Sequence, residues 1–243
     1  MHIIKLTEMK LLHQALTACS ELSHLAKLTI EPAGFRIHSI ETGATAEIIV
    51  QIPLMFTPNP AVEAMFGDFD IVPSELAALL SEHKTTAVGL FVDKTGAFGI
   101  YDSVKRINRK LAVATTDAFK AYSPKQVLPE DFVSFCLPSV EFTNDMSNLC
   151  IAAGAAWFTC KNSTLKIRAK SGTTEIVVVK ALKVDPALAD LPTVRITIKF
   201  VKLCFPAMIR SALVTVHWAK NGEFIVVENQ SIRCVLQNID TIL

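Results

Sequence analysis

TTDAFKAYSPKQVLPED, residues 115–131, is the longest segment of this chain whose apolar residues follow neither a period of 2 nor one of 3.6. It carries Pro124 and Pro129. Proline has no backbone N–H and drives its predecessor into extended geometry, which excludes a helix or a central strand there. The segment lies near mid-chain, with a similar order of elements on either side, so it reads as a connector between two like domains. The expected division is 1–116, a connector over 117–130, and 131–243.

Toward the N-terminus, the periodicities predict a strand His2 to Leu6 and a helix capped by Thr7. That helix places Leu12, Ala15, Leu16, Cys19 and Leu22 inward and Lys10, His13, Gln14 and Thr17 in water. A hairpin follows (Leu25 to Ile30, Phe35 to Ile40), then strands Ala46 to Ile52 and Phe69 to Val72. Pro73-Ser-Glu opens a second helix with Leu76, Leu79 and Leu80 inward. Another hairpin (Val88 to Val92, Ala97 to Tyr101), a basic turn Lys105 to Lys110 and a strand Leu111 to Thr115 lead into the connector.

Beyond the connector the order recurs. Phe132 to Leu137 is a strand and Pro138 starts a helix running to about Cys150. Ala155 to Cys160 and Leu165 to Ala169 make a hairpin, and Thr173 to Lys180 is a β-branched strand. A loop through Asp185-Pro and Leu191-Pro precedes a strand Val194 to Lys199 and a short helix Val201 to Ile209. Val214 to Trp218 and Val226 to Val227 pair across Asn221-Gly222, the strongest hairpin signal in the chain, and Ile232 to Leu236 closes it. Corresponding helices and hairpin turns lie about 126 to 131 residues apart, a two-fold repeat of one unit.

Composition agrees with two buried cores. The 243 residues suffice for two domains of roughly 115 to 120 each. With 51% hydrophobic and 19% charged residues the chain is globular rather than disordered. Its longest small or apolar run, Ile151 to Phe158, is far short of the roughly 18 to 20 residues of a membrane span, and the N-terminus lacks the pattern of an export signal. An intracellular, soluble protein without membrane contact is expected. Six well-spaced cysteines without a CxxC pair read as buried free thiols. A net charge of +1 means that any DNA contact requires basic groups segregated on one face.

Catalytic and metal signatures are missing. The chain has no GxSxG, GxxxxGK[ST], HExxH or GxGxxG, and its histidines (His2, His13, His24, His38, His83, His217) are scattered. Asp68 and Asp70 flank Phe69 in a D-x-D arrangement that could hold a divalent ion, but it reads better as the solvent side of a strand. No enzyme activity, metal or cofactor is expected.

Residues 5–41, KLTEMKLLHQALTACSELSHLAKLTIEPAGFRIHSIE, resemble the opening of the proliferating cell nuclear antigen family of sliding clamps without a gap. Val72-Pro-Ser-Glu-Leu-Ala-Ala-Leu-Leu, Leu137-Pro-Ser-Val-Glu-Phe and Ile198-Lys-Phe-Val-Lys-Leu-Cys-Phe are similar to the starts of that family's later helices. The resemblance covers nearly the whole chain through pattern rather than long identities. It implies an α+β protein of two tandem clamp domains, each of antiparallel sheets with two short helices, and a ring of three subunits with twelve helices lining the hole. Lys110, Leu111 and Val113 would then meet Thr174, Ile176 and Val178 of a neighbour, head to tail.

The same resemblance implies a DNA polymerase processivity factor, which holds duplex DNA without sequence specificity and tethers polymerase and other replication or repair proteins. Lys10, His13, Lys84, Lys199, Lys202 and Arg210 would face the DNA; the alternative is that they are ordinary solvated charges. Asn144 and Ser147 stand where the clamps usually present arginine, and Ala78 and Ser81 where lysines are common. Together with the near-neutral charge, this suggests a divergent member, of viral origin, acting in the nucleus or at a viral replication site. Partners with short clamp-binding motifs would bind beneath the connector, against Ile40, Ala44, Val127, Leu128, Pro129 and Ile239. Two other readings stay open: a subunit of a checkpoint-like heterotrimeric clamp or a clamp-derived viral transcription factor, and a protein-interaction scaffold that never meets DNA.

Overall fold

The computed structural model describes residues 2–4, 6–41, 43, 45–53, 66–81, 88–92, 98–102, 107–110, 132–182, 190–199 and 211–241. The chain forms two compact units, Met1–Ile40 with Ile48–Pro124, and Glu41–Glu47 with Lys125–Leu243. The connector, the strand expected over Leu111 to Thr115 and the helix expected over Val201 to Ile209 lie outside the described residues.

The first unit runs β1 (His2–Ile4), α1 (Leu6–Leu22), β2 (Ala26–Glu31), β3 (Gly34–Ile40), β4 (Ala46–Pro53, from Ile48 on), β5 (Gly67–Ile71), α2 (Pro73–Ser81), β6 (Val88–Val92), β7 (Phe98–Asp102) and β8 (Ile107–Lys110). Its strands are ordered β1-β6-β7-β8 and β5-β2-β3-β4. Apolar side chains recurring at helical spacing give α1 one buried face, Leu12, Ala15, Leu16, Cys19 and Leu22, as the sequence predicts. That helix packs on α2 and β3. Along β2, buried and half-buried residues alternate, so Ala26, Leu28 and Ile30 enter the core.

The second unit runs β9 (Phe132–Pro138), α3 (Ser139–Ala152), β10 (Ala155–Lys161), β11 (Thr164–Ser171), β12 (Thr174–Ala181), β13 (Asp190–Thr197), β14 (Leu213–Ala219), β15 (Phe224–Glu228) and β16 (Ile232–Gln237). Its strands are ordered β9-β14-β15-β16 and β13-β10-β11-β12. Each strand therefore occupies the place held in the first unit by the strand eight numbers earlier. The repeat read from spacing is thus a repeat of topology. On α3, Phe142, Met146, Leu149 and Ala152 are buried where the helix packs on β9, β11, β12 and β14. The β10–β11 turn holds Asn162 at φ 48° and Ser163 at φ 56°, the two left-handed residues of a type I′ hairpin.

Several expectations are corrected. Helix α1 starts at Leu6, so Thr7 lies inside its first turn and is not the cap. Part of the supposed basic turn, Ile107–Lys110, is strand β8 on the edge of β7, because Ile107 and Asn108 take up the register opposite Asp102 and Tyr101. Leu191-Pro192 belongs to β13 rather than to a loop. Proline is tolerated there because β13 is an end strand, and its pairing with β10 shifts register between Phe158 and Cys160. Cys136 is an exposed free thiol; Cys19, Cys160 and Cys234 are buried, and burial pushes the Cys19 thiol up to about 12.

Gly222 closes the β14–β15 hairpin at φ 74°, and a Cβ there would come within 2.7 Å of the Pro192 Cβ. The buried Trp218 donates its indole N–H to the Pro192 carbonyl at 3.1 Å, so the proline cannot move away freely. Gly222→Ala should therefore lower stability by more than the roughly 1–2 kcal/mol of left-handed strain alone. Gly172→Ala, with φ 56° and open space, supplies that backbone-only reference. Urea midpoints at unchanged m-value measure both, and equal losses would refute the steric contribution of Pro192.

Candidate functional site

Strands at the ends of sheets leave one row of N–H and C=O groups without a strand partner, and natural sheets usually blunt such rows. In the second unit β13 carries Pro192, and β16 is flanked at its end because the Gln237 N–H donates to the Thr45 carbonyl at 2.9 Å. Strand β12 has eight residues, no proline and no charge between Ile176 and Val179. It pairs with β11 from Thr164↔Ala181 to Ser171↔Thr174, and no described strand takes its other side. Val177 and Val179 are 42% and 62% exposed, with Ile176 and Val178 half-buried. Sequence reasoning named Thr174, Ile176 and Val178, and the structure places all three on this open edge. Lys110 ends β8, itself an end strand that pairs with β7; Leu111 and Val113 lie outside the described residues.

The root of that edge is held by charge. Lys180 on β12 reaches Glu141 at 3.0 Å and Asp145 at 2.7 Å on α3. Burial opposes its charge, yet the hydrogen bonds and charges of Asp145 and Glu141 prevail and raise the ammonium above its ordinary value. The remaining exposed stripe of α3 is Val140, Asn144, Asn148 and Ile151, the last 79% exposed. No basic side chain stands on it. Of the expected DNA-facing groups, Lys10 is exposed and His13 half-buried one turn apart on α1, and Lys199 is exposed just after β13. Lys84, Lys202 and Arg210 lie outside the described residues.

Of the expected partner-binding residues, Ile40 ends β3 half-buried, and Ile239 is half-buried with its N–H donating to the Arg195 carbonyl at 2.8 Å. Ala44, Val127, Leu128 and Pro129 lie outside the described residues. The structure adds an apolar cluster that sequence reasoning missed: Ala219, Phe224 and Val226, with Phe132 and Val235 against it. Phe132 meets Phe224 edge to face at 5.3 Å. Alternation could show that these side chains share one sheet face, but it could not say which face. Beside the cluster, Ser134 Oγ lies 2.7 Å from His217 Nδ1, and His217 Nε2 lies 2.8 Å from Glu228. The three resemble a hydrolytic triad with the imidazole reversed, since the serine of such a triad sits at Nε2. On an open sheet face this is a polar ladder tying β9, β14 and β15.

The D-x-D pair splits. Asp68 is bridged to Lys27 at 2.9 Å, whereas Asp70, on the same strand face, is 3% exposed with one carboxylate oxygen lacking a hydrogen-bond partner. Among the described residues no group of three His, Cys, Asp or Glu could hold a metal ion. No described helix is long and apolar enough to cross a membrane.

No protein-family model and no curated protein matches the chain. Three of the solved structures that match share 10 to 16% identity. The chain is similar to A. fulgidus PCNA, solved with the C-terminal region of FEN-1, at TM-score 0.72 and 16% identity over 94% of this chain and 95% of that one. It is similar to the PCNA2–PCNA3 complex from Sulfolobus tokodaii at TM-score 0.74 and 12% identity, over 96% and 97%. It also matches the beta subunit of DNA polymerase III from Thermotoga maritima at TM-score 0.77 and 10% identity, spanning 98% of this chain and 64% of that one. The chain has the sliding-clamp fold.

The two aspartates set opposite pH responses. Burial raises Asp68, but hydrogen bonds from Lys27 and Thr29 and the charges of Lys27 and Arg36 outweigh it, leaving the carboxyl below its ordinary 3.8. Its stabilisation is present above 3.8 and lost as pH falls through the lowered folded value. Burial raises Asp70 above 3.8, with Lys27 opposing and Asp68 adding, so its ionised form costs stability above the raised value. Asp70→Asn should stabilise the protein at neutral pH by about 1 kcal/mol, with the gain fading as pH falls through the raised folded value toward 3.8 and absent below it. Urea unfolding across pH measures it; a constant loss would show the carboxylate to be a structural asset.

Proposed function

We propose that the chain is a DNA polymerase processivity factor, a subunit of a homotrimeric ring that encircles duplex DNA and tethers polymerase and other DNA-processing proteins inside the cell. The observation that carries this is the tandem repeat of one unit that leaves β12 open, in a chain with the sliding-clamp fold. By the repeat, β12 corresponds to β4 and β8 to β16. Thr45, which leads into β4, lies beside the end of β16. The same relation between subunits would set β12 of one copy beside β8 of the next. Such a contact is heterologous and closes only at the right rotation.

On this reading the chain is a scaffold rather than an enzyme. Lys10, His13 and Lys199, with Lys84, Lys202 and Arg210, meet phosphates weakly, and topology rather than affinity keeps the ring on DNA. Motif-bearing partners bind beneath the connector, against Val127, Leu128, Pro129, Ala44, Ile40 and Ile239. A second reading, a subunit of a heteromeric clamp, has support in the match to a complex of two different PCNA chains.

The full chain should sediment at three times its 26.6 kDa and remain on nicked circular DNA after loading. Val177→Lys with Val179→Lys, both at exposed positions, should keep the circular dichroism spectrum and reduce the mass to that of one chain. A wild-type chain that stays single at micromolar concentration would sink the homotrimer and leave the heteromeric reading.

A further inference from the structure

We propose that the wet face of the β13-β10-β11-β12 sheet is a binding surface for single-stranded nucleic acid, organised by Trp157. Register puts Trp157 on β10 between Arg168 on β11 and Arg195 on β13. The guanidinium carbons lie 5.3 and 4.8 Å from the indole centroid. Trp157 stays half-exposed, while its neighbours Ala156 and Phe158 are buried in the core behind the sheet.

Around the indole the face is basic. Lys166, Arg168 and Lys170 project at alternate positions of β11, about 7 Å apart along the strand, close to the repeat of successive phosphates in an extended strand. Lys161 extends the row at the end of β10. Acidic groups share the face: Glu175 lies 3.8 Å from Arg168, Asp240 lies 3.1 Å from Arg195, and Asp190 stands opposite Lys161 in register, so the net positive field is centred on Lys166, Arg168 and Lys170. Guanidinium groups held on an aromatic ring are oriented in advance, which lowers the entropy cost of gripping a phosphate.

The chemistry favours a single strand. Four antiparallel strands with one central aromatic and flanking cations form a stacking platform, on which phosphates draw the arginines outward and a base takes the vacated ring face. A duplex keeps its base faces inside and offers nothing to the indole. An acidic peptide offers charge but no flat ring to stack.

The chain has two tryptophans, and Trp218 is fully buried, so a change in tryptophan emission on binding reports Trp157. Titration of the full chain with oligothymidylate should quench that emission saturably, with affinity falling as salt rises. Trp157→Leu should weaken binding, followed by anisotropy of labelled oligothymidylate, by about fivefold or more, and Lys166→Ala with Arg168→Ala by about tenfold or more. Arg36→Ala, which removes one positive charge on β3 of the first unit, should leave it unchanged, which separates this surface from a general charge effect. Equal binding of a duplex or of polyglutamate, or full oligothymidylate affinity in Trp157→Leu, would overturn the proposal. Circular dichroism of each variant confirms that it is folded.

Discussion

Every strand in this molecule has to place its backbone N–H and C=O groups, and the way each sheet ends governs what the chain can do. Within each unit the strands pair in the same order, and several ends are blunted by proline, by charge or by a neighbouring segment. The β12 edge is not blunted. It is long, rich in valine and free of proline, which in a protein that stayed alone would invite uncontrolled pairing. On the proposed reading, a partner strand from another copy would turn this liability into an assembly surface.

Charge reinforces that edge instead of being spent on the helix face. Lys180 bridges Glu141 and Asp145, leaving one net negative charge, and ties the end of β12 to α3. Beside it runs a helix stripe of Val140, Asn144, Asn148 and Ile151, which carries no charged side chain. The basic side chains sit elsewhere, on β11 and around Trp157, where an aromatic ring orders them. Burying Asp70 without full hydrogen bonding is a cost the fold carries.

Local signals and tertiary signals had different reach. The Asn221-Gly222 hairpin, the α1 face and the β-branched strand that carries Thr174, Ile176 and Val178 could be read from spacing, since turn chemistry and periodicity act over a few residues, whereas the pairing role of that strand came only from the family resemblance. Strand β8 was misread as a turn because Asn, Arg and Lys have weak strand preference, and only pairing with β7 recruits them. Asp70 shares its strand face with the exposed Asp68, and its cover comes from local packing that alternation does not record.

By itself, then, the sequence determined the order of elements, the two-fold repeat and the inward stripes, because these follow from periods of 2 and 3.6 and from backbone preferences at Gly, Pro and Asn. Only the tertiary structure decided which strands neighbour one another and therefore which edge stays open. It alone brought Lys180 to Asp145, and Arg168 and Arg195 to Trp157. Those contacts join residues far apart in the chain, and a periodicity carries no record of which distant strand will supply the partner.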